Sequence, residues 1–444
     1  MLTLIALFLM SQDRNFELSV QERFRVEFVL LDVVAQDRRG NLITDLTAAD
    51  FSVTENRKPV EVSYFDILDF REGVVPDLTD VPEHLHAEVK ANAMQQIVIA
   101  IDLIGVQEID TQKIFKQLDD FVKSLDPNQE YRINVYSMER GSISKGFLNT
   151  PRAAMDALGE FRDRHLASLE RARSGGVGGG TTFDWDGNSQ RSSRARAGFS
   201  MLGDDWRLSE LEEAFQQCRS FFSSDYGALS RCIGDSLGEY MDRMSQRTDR
   251  IMGELELLTY DFEDTAGLKL MLFVSPGFGM DYMSSAVDLA YAYLGRSQDA
   301  FLDASSGKLD VRSDFRRVVH ACIKNRVVFH TFDIFNGSAG FLRNLDVRFS
   351  GAAGSRVTRA YRNFSFDMSN GLRSLAEESG GSFHQVARLE GGMNKVLDNN
   401  RFFYVIGYGS PIASDGEFRK IKVKVNRRGV KVRHRTGYFA RQGD

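Results

Sequence analysis

The chain has 444 residues, of which 42% are hydrophobic and 27% charged, as in an ordinary globular protein. This length is enough for two or three domains. The net charge of −6 argues against nucleic acid as the main partner, and three cysteines are too few for a disulfide-framework protein. The charge is unevenly distributed, because residues 419–435 hold nine Lys or Arg residues and no acidic residue.

A short apolar run at the N terminus, residues 2–10, is followed by the polar residues Ser11, Gln12 and Asp13. A membrane-spanning helix needs about 20 apolar residues, so this run is too short to cross a bilayer. It has the character of the apolar part of a signal peptide, although no Lys or Arg precedes it. The alternative is a buried N-terminal strand. We therefore expect a signal peptide over residues 1–15, export to the periplasm or cell surface, and no integral membrane span.

The segment 16–70 has the pattern of a small antiparallel β segment. Residues 23–36 alternate between apolar and charged side chains, as a strand with one buried face does. Two further strands are predicted at 51–55 and 60–65, joined by a hairpin turn. Residues 71–95 contain prolines and acidic residues and are predicted to be a linker.

From residue 96 to residue 400, strands alternate with helices. The series consists of strands at 97–101, 131–137, 143–148, 268–275, 327–333 and 382–384, with helices that include 108–124 and 368–379. Such alternation predicts an α/β domain with a doubly wound parallel sheet. Ligands of these sheets bind beyond the carboxyl ends of the strands. Asp102, Ser275 and Asp333 fall at that edge.

Two segments interrupt this domain. Residues 162–204 are rich in Gly, Ser and Arg, and we expect a flexible loop there. Residues 205–264 have a helical pattern with one break at 223–227, which predicts an inserted helical hairpin. Cys218 and Cys232 lie seven residues on either side of the middle of this break, so antiparallel helices would place them at the same height. A disulfide and a pair of buried thiols are the two alternatives.

The C-terminal segment 401–444 returns to a β pattern. Residues 402–408 are apolar and aromatic, and Ile or Val alternates with Lys or Arg over 421–425 and 430–433. These strands could pair with segment 16–70, because a short isolated β unit is only marginally stable. The basic residues form either a solvated sheet face or a surface for an anionic glycan or a partner protein.

Several short segments, in this order and spacing, resemble the von Willebrand factor A-related proteins of acidobacterial type. They are 31–35 (LDVVA), 45–51 (DLTAADF), 272–278 (LFVSPGF), 375–381 (LAEESGG), 404–408 (YVIGY) and 435–440 (RTGYFA). The resemblance implies an exported bacterial protein in which a von Willebrand A-like, Rossmann-like domain lies between flanking antiparallel β segments. It does not imply a biochemical activity.

The resemblance also draws attention to a degenerate metal site. An A domain holds a divalent cation through Asp-x-Ser-x-Ser, a Thr and a second Asp. Here Asp102 is followed by Leu-Ile-Gly-Val at 103–106, and Pro276 stands in place of the second Asp. Thr181 or Thr182 would have to supply the Thr. Because Mg²⁺ requires octahedral oxygen ligands, we expect no metal or other cofactor, and Asp102 would instead cap the following backbone amides.

No other motif identifies a catalytic residue. The sequence contains no His-Glu-x-x-His, Cys-x-x-Cys or Gly-x-Ser-x-Gly motif. We therefore expect a non-enzymatic protein-interaction module, an adhesion or scaffold protein, whose partner and oligomeric state the sequence leaves open. Its binding surface is expected at the carboxyl edge, around Asp102, Gly105, Thr181, Thr182 and Ser275. The alternative is a metal-dependent adhesion domain that binds Mg²⁺ through a rearranged site.

Overall fold

The structure, a computed structural model, describes residues 27–69, 95–104, 106, 108–126, 131–139, 141–144, 146–174, 208–263, 265, 268–294, 311–334, 351–385, 388–410 and 415–440. The strands are β1 (Glu27–Gln36), β2 (Phe51–Glu55), β3 (Lys58–Val60), β4 (Tyr64–Asp69), β5 (Gln95–Ile101), β6 (Tyr131–Ser137), β7 (Gly141–Ser142), β8 (Lys269–Ser275), β9 (Val327–Asp333), β10 (Phe383–Gln385), β11 (Phe402–Ser410), β12 (Phe418–Val425), β13 (Lys431–Arg433) and β14 (Gly437–Phe439). The helices are α1 (Glu108–Ser124), α2 (Pro151–Ser174), α3 (Leu208–Phe221), α4 (Tyr226–Tyr260), α5 (Tyr282–Leu294), α6 (Val311–Lys324), α7 (Gly351–Ser379) and α8 (Leu389–Asn399).

Five parallel strands form the central sheet, in the order β10-β9-β8-β5-β6, and β7 pairs antiparallel with β6 at one edge. Numbered along the chain, this is the 3-2-1-4-5-6 order of a doubly wound sheet. The two central strands, β5 and β8, are nearly continuous apolar runs because both faces of the sheet are covered, and every residue of β8 is buried. The α/β class predicted from the sequence is confirmed.

Helices cover both faces of the central sheet. Ile97, Ile99 and Ile101 of β5 point to one face and pack with α1, α2 and α8. Val98 and Ala100 point to the other face and pack with α6, the second half of α4 and the second half of α7. Successive side chains of a strand alternate between faces, so β5 contributes to two separate cores.

Strands from both ends of the chain form the β unit, which contains two antiparallel sheets, β13-β1-β11-β4 and β14-β12-β2-β3. The strand β1 pairs with β11, and β2 pairs with β12. Leu31, Val53 and Tyr404 are buried in the common core of these sheets. The structure therefore contains the pairing between segments 16–70 and 401–444 that the sequence left open, while the domain boundaries remain a prediction.

The loop predicted at 162–204 begins later than the sequence indicated. Helix α2 continues to Ser174. Ala154, Leu158 and Phe161 recur at helical spacing on its buried face and belong to the core beside α1. The buried face continues at His165, one turn beyond Phe161 and in contact with its ring. This contact extends the helix into the segment whose Arg-rich composition favoured a loop.

Three other predicted bounds also change. The strand expected near 143–148 is not found among the described residues there: β7 ends before it, at Ser142, and Leu148 forms only an isolated bridge with Ile133. The helix expected at 368–379 begins earlier, at Gly351. The strand expected at 60–65 is divided between β3 and β4.

Several predicted segments cannot be compared with the structure. The signal peptide at 1–15, residues 175–204 of the loop and residues 71–94 of the linker lie outside the described residues. Among the described helices, none is long and apolar enough to cross a membrane.

Glu55, the last residue of β2, joins the two ends of the chain inside the β unit. Its side chain is 1% exposed and accepts hydrogen bonds from the Tyr408 and Ser410 hydroxyls, both at 2.8 Å, and from the Tyr438 hydroxyl at 3.0 Å. All three donors come from C-terminal strands. Burial and the carboxylate of Glu55 raise the pKa of Tyr408, so its hydroxyl remains protonated and able to donate.

Replacement of Glu55 by Ala would leave three hydroxyls without this acceptor. We expect Glu55→Ala to lower the free energy of unfolding by about 3 kcal/mol, because buried hydroxyls that lose a charged partner are costly. Urea denaturation measures this change. Glu61→Ala, at an exposed position of the same segment, is the matched control and should remain within about 0.5 kcal/mol of the wild type. Equal stability of the two variants would contradict the role given to Glu55.

Helices α3 and α4 form the predicted hairpin, and a disulfide joins Cys218 to Cys232 across it. Their Cα atoms are 5.8 Å apart, within the range that a disulfide requires. At the turn, Asp225 caps α4 because its side chain accepts a hydrogen bond from the backbone N–H of Ala228. Cys322 is a free, buried thiol.

The disulfide can be tested by alkylating the protein, purified without reductant from its native host, under denaturing conditions and measuring its intact mass. We expect one alkylated cysteine without reductant, Cys322, and three with reductant. The bridge closes a loop between residues 14 apart, so its reduction should lower stability by about 3 kcal/mol. The variant Cys322→Ser is the control and should show no label without reductant. Three labelled cysteines in the unreduced wild type would mean that the bridge does not form.

Candidate functional site

Asp102 lies at the carboxyl end of β5, between β5 and β8, where the strand order of the sheet reverses. Its side chain is fully buried. The hydroxyl of Ser275, at the end of β8, donates a hydrogen bond to Oδ2 of Asp102 at 2.8 Å. The backbone N–H of Ile104 donates to Oδ1 at 3.2 Å. Asp102 therefore caps the chain that follows it, as the sequence predicted, and it is held by the neighbouring strand.

Arg247 provides the positive charge beside this carboxylate. It projects from α4, is 5% exposed, and donates from Nη2 to Oδ2 of Asp102 at 3.3 Å. The same Nη2 donates to the carbonyl of Gly277 at 2.9 Å. Burial lowers the pKa of Arg247 while Asp102 opposes that change. The inserted hairpin thus places the guanidinium of Arg247 at the carboxyl ends of the central strands, where two hydrogen bonds hold it.

The loop after β8 is held close to α7. Its backbone N–H at Gly277 donates to the Ser275 hydroxyl at 3.0 Å. Gly277 has φ +101°, and a Cβ atom there would lie 2.6 Å from the carbonyl oxygen of Met368. A Cβ at Gly371 would lie 2.2 Å from the carbonyl oxygen of Phe278. These two glycines permit a close approach that fixes the carbonyl facing Arg247.

Two more carboxylates near this edge are also satisfied by protein donors. The hydroxyl of Ser369 donates to Asp333, at the end of β9, at 2.6 Å. Asp367 on α7 accepts hydrogen bonds from the backbone N–H groups of Met280 and Asp281, at 3.2 and 2.9 Å. Burial raises the pKa of Asp367 to about 6. The acidic groups here serve as acceptors inside the protein rather than as a cluster open to solvent.

The structure brings together only part of the predicted site. Asp102 and Ser275 are in direct contact, but both are fully buried, so their side chains do not contribute to the surface. Gly105, Thr181 and Thr182 lie outside the described residues. In the part of the chain that the structure describes, no group of three or more His, Cys, Asp or Glu side chains is arranged to hold a metal ion.

The sequence analysis did not identify Arg247, although a signal was present. Tyr240, Met244, Ile251 and Leu255 form the buried stripe of α4, and Arg247 falls on that stripe at helical spacing. A single cation on an otherwise apolar helix face requires a buried partner. The sequence alone does not say which carboxylate provides it.

A second notable arrangement involves His330, Ser382 and His384. The Ser382 hydroxyl lies 2.8 Å from Nδ1 of His330 and 2.7 Å from Nε2 of His384. Burial lowers the pKa of both imidazoles, that of His384 to about 4. Among the described residues, no carboxylate contacts either ring, so the acid that orients the base of a catalytic triad is not found beside them.

The turn of the inserted hairpin exposes three aromatic side chains. Phe221 is 77%, Phe222 37% and Tyr226 54% exposed. The disulfide between Cys218 and Cys232 lies about one helical turn away. We call these three residues the hairpin end. They form an exposed aromatic patch on two helices that the disulfide links covalently.

Comparison of the chain with protein-family models, curated proteins and solved structures gives no match. The function must therefore be inferred from the geometry of the site itself.

Without Arg247, the buried carboxylate of Asp102 would have no cation beside it. We expect Arg247→Met to lower the free energy of unfolding by about 3–5 kcal/mol, as measured by urea denaturation. With Asp102→Asn, the same change should have a smaller effect, because the carboxylate charge is already removed. Arg250→Met, an exposed position on the same helix, is the control. An unchanged effect of Arg247→Met in the Asp102→Asn background would show that the two side chains are not coupled.

Proposed function

We propose that the protein is an exported, non-enzymatic protein-interaction module of adhesion or scaffold type, built on a von Willebrand A-like domain that works without a metal. The observation that carries this proposal is the buried ion pair between Asp102 and Arg247, at 3.3 Å. In a metal-dependent A domain a divalent cation supplies the positive charge beside this Asp. Here a guanidinium of the same chain supplies it.

Two features support the A-like and exported parts of the proposal. The 3-2-1-4-5-6 strand order places Asp102 at the switch point of the sheet, where the resemblance expects it. The disulfide between Cys218 and Cys232 requires an oxidising compartment to persist, which agrees with export.

The hairpin end is the proposed contact surface for a partner protein. Exposed aromatic side chains are enriched at protein interfaces, where they provide large contact areas. The nearby disulfide reduces the conformational freedom that would be lost on binding. The neighbouring Arg219, Asp225 and Arg231 have charges of both signs, which suits a protein surface better than a uniformly anionic membrane.

The metal-free character is tested by calorimetry of the full chain with Mg²⁺, Mn²⁺ and Ca²⁺. We expect no binding isotherm for any of the three ions, because Arg247 neutralises Asp102. An isotherm with micromolar affinity that disappears in Asp102→Ala would overturn the proposal in favour of a metal-dependent adhesion domain.

The interaction role is tested by capture from the native envelope with the full chain as bait. We expect a specific partner to bind in EDTA and in Mg²⁺ alike, and to be lost from the double variant Phe221→Ser, Tyr226→Ser. Leu257→Ser removes another exposed apolar side chain, at the far end of α4, and should retain the partner. Capture that depends on Mg²⁺, or equal loss in the control, would contradict the proposed surface.

A further inference from the structure

A cavity of about 50 Å³ lies at the amino ends of the central strands, the side of the sheet opposite Asp102, where the sheet meets the β unit. Leu268 and Arg326 line it from the amino ends of β8 and β9. Asp32, Phe403 and Arg433 line it from the β unit. We call this space the basic cleft.

The charges of the basic cleft do not balance. Arg326, Arg433 and Arg435 line it together with a single acidic residue, Asp32, so its net charge is +2 (three minus one). Nη2 of Arg326 lies 2.6 Å from Oδ2 of Asp32, which neutralises that pair. Arg435 donates from Nη2 to the carbonyl of Leu30 at 2.7 Å, but a carbonyl provides no counter-charge.

Arg433 is the least compensated of the three cations, because Arg326 pairs with Asp32 and Arg435 donates to a backbone carbonyl. Among the described residues, no carboxylate forms an ion pair with it, and its Nε is buried without a hydrogen-bond partner. Burial lowers the pKa of Arg433 to about 10, so the guanidinium is still protonated at pH 7. After burial itself, the charge of Arg433 also lowers the pKa values of His330 and His384. These shifts place the charge of Arg433 close to both imidazoles.

A half-buried guanidinium of this kind is unfavourable unless an anion reaches it. A single water needs roughly 10–15 Å³ of such space. The cavity, at about 50 Å³, therefore holds a few waters or one compact anion. The planar fork of a guanidinium donates two parallel hydrogen bonds, which match the oxygens of a phosphate or carboxylate.

We propose that the basic cleft binds a compact oxyanion, with a phosphate group as the preferred ligand and Arg433 as its main binding residue. The phosphate is either free or carried by a small phosphomonoester. Because Arg433 belongs to β13 and Arg326 precedes β9, the bound anion would join the β unit to the central sheet. Binding would stabilise that contact, independently of the interaction role proposed for the hairpin end.

The test measures thermal unfolding of the full chain while inorganic phosphate replaces chloride at constant ionic strength. We expect the melting temperature to rise saturably in the millimolar range, since a ligand that binds only the folded state stabilises it. Glycerol phosphate in place of inorganic phosphate distinguishes an ester from the free ion. The absence of a saturable rise with both compounds would overturn the proposal.

Variants identify the site. Arg433→Met should weaken phosphate binding at least about tenfold, the effect of losing roughly 1.4 kcal/mol of interaction. Lys431→Met removes the same charge from an exposed position on the same strand and should leave the affinity unchanged. Equal weakening by the two variants would indicate non-specific attraction and overturn the assignment.

A structural role for Arg433 predicts a different result. In phosphate-free buffer, Arg433→Met should be at least as stable as the wild type, because it removes a half-buried charge that has no counterion. If it is instead destabilised equally with and without phosphate, Arg433 is structural and the proposal fails. Arg433→Lys keeps the charge but loses the planar fork, so it should fold normally and bind phosphate more weakly, as measured by ³¹P line broadening.

Discussion

The buried pair of Asp102 and Arg247 is the interaction on which the arrangement of the α/β part depends. A carboxylate with no exposed surface at the end of a central strand is strongly unfavourable without a cation. The cation comes from α4, which is part of the inserted hairpin and not of the repeating strand–helix pattern. Arg247 also binds the carbonyl of Gly277, so the hairpin, β5 and the loop after β8 are fixed relative to one another.

The sequence predicted the central sheet because its strands are long apolar runs that alternate with helices, a pattern that few other folds produce. It also placed Asp102 and Ser275 at one edge, and they are in contact. It could not identify Arg247, which is 145 residues away from Asp102 along the chain. Periodicity shows that Arg247 is buried, but pairing between distant residues follows from tertiary packing alone.

In the β unit, too, local sequence patterns predicted the strands but not the contacts between residues far apart in the chain. Alternation predicted strands at both ends of the chain, because one face of each sheet is buried. The acceptor role of Glu55 was not predictable, since an acid at the end of a strand is normally solvated. Its three donors lie more than 350 residues away. The register of β2 with β12, which also pairs with β14, brings Glu55 near Tyr438. The packing of the two antiparallel sheets against each other brings it to Tyr408 and Ser410.

The carboxyl and amino ends of the central strands, called here the carboxyl edge and the amino edge, differ in how the charges beside them are compensated. At the carboxyl edge, where doubly wound sheets usually bind ligands, Asp102, Asp333 and Asp367 each accept hydrogen bonds from the protein itself. At the amino edge, Arg433 has a charge with no acidic partner among the described residues. A ligand gains most where it satisfies groups that the protein leaves unsatisfied. Doubly wound sheets usually bind ligands at the carboxyl ends of their strands. In this protein the uncompensated charge instead favours an anion site at the amino ends.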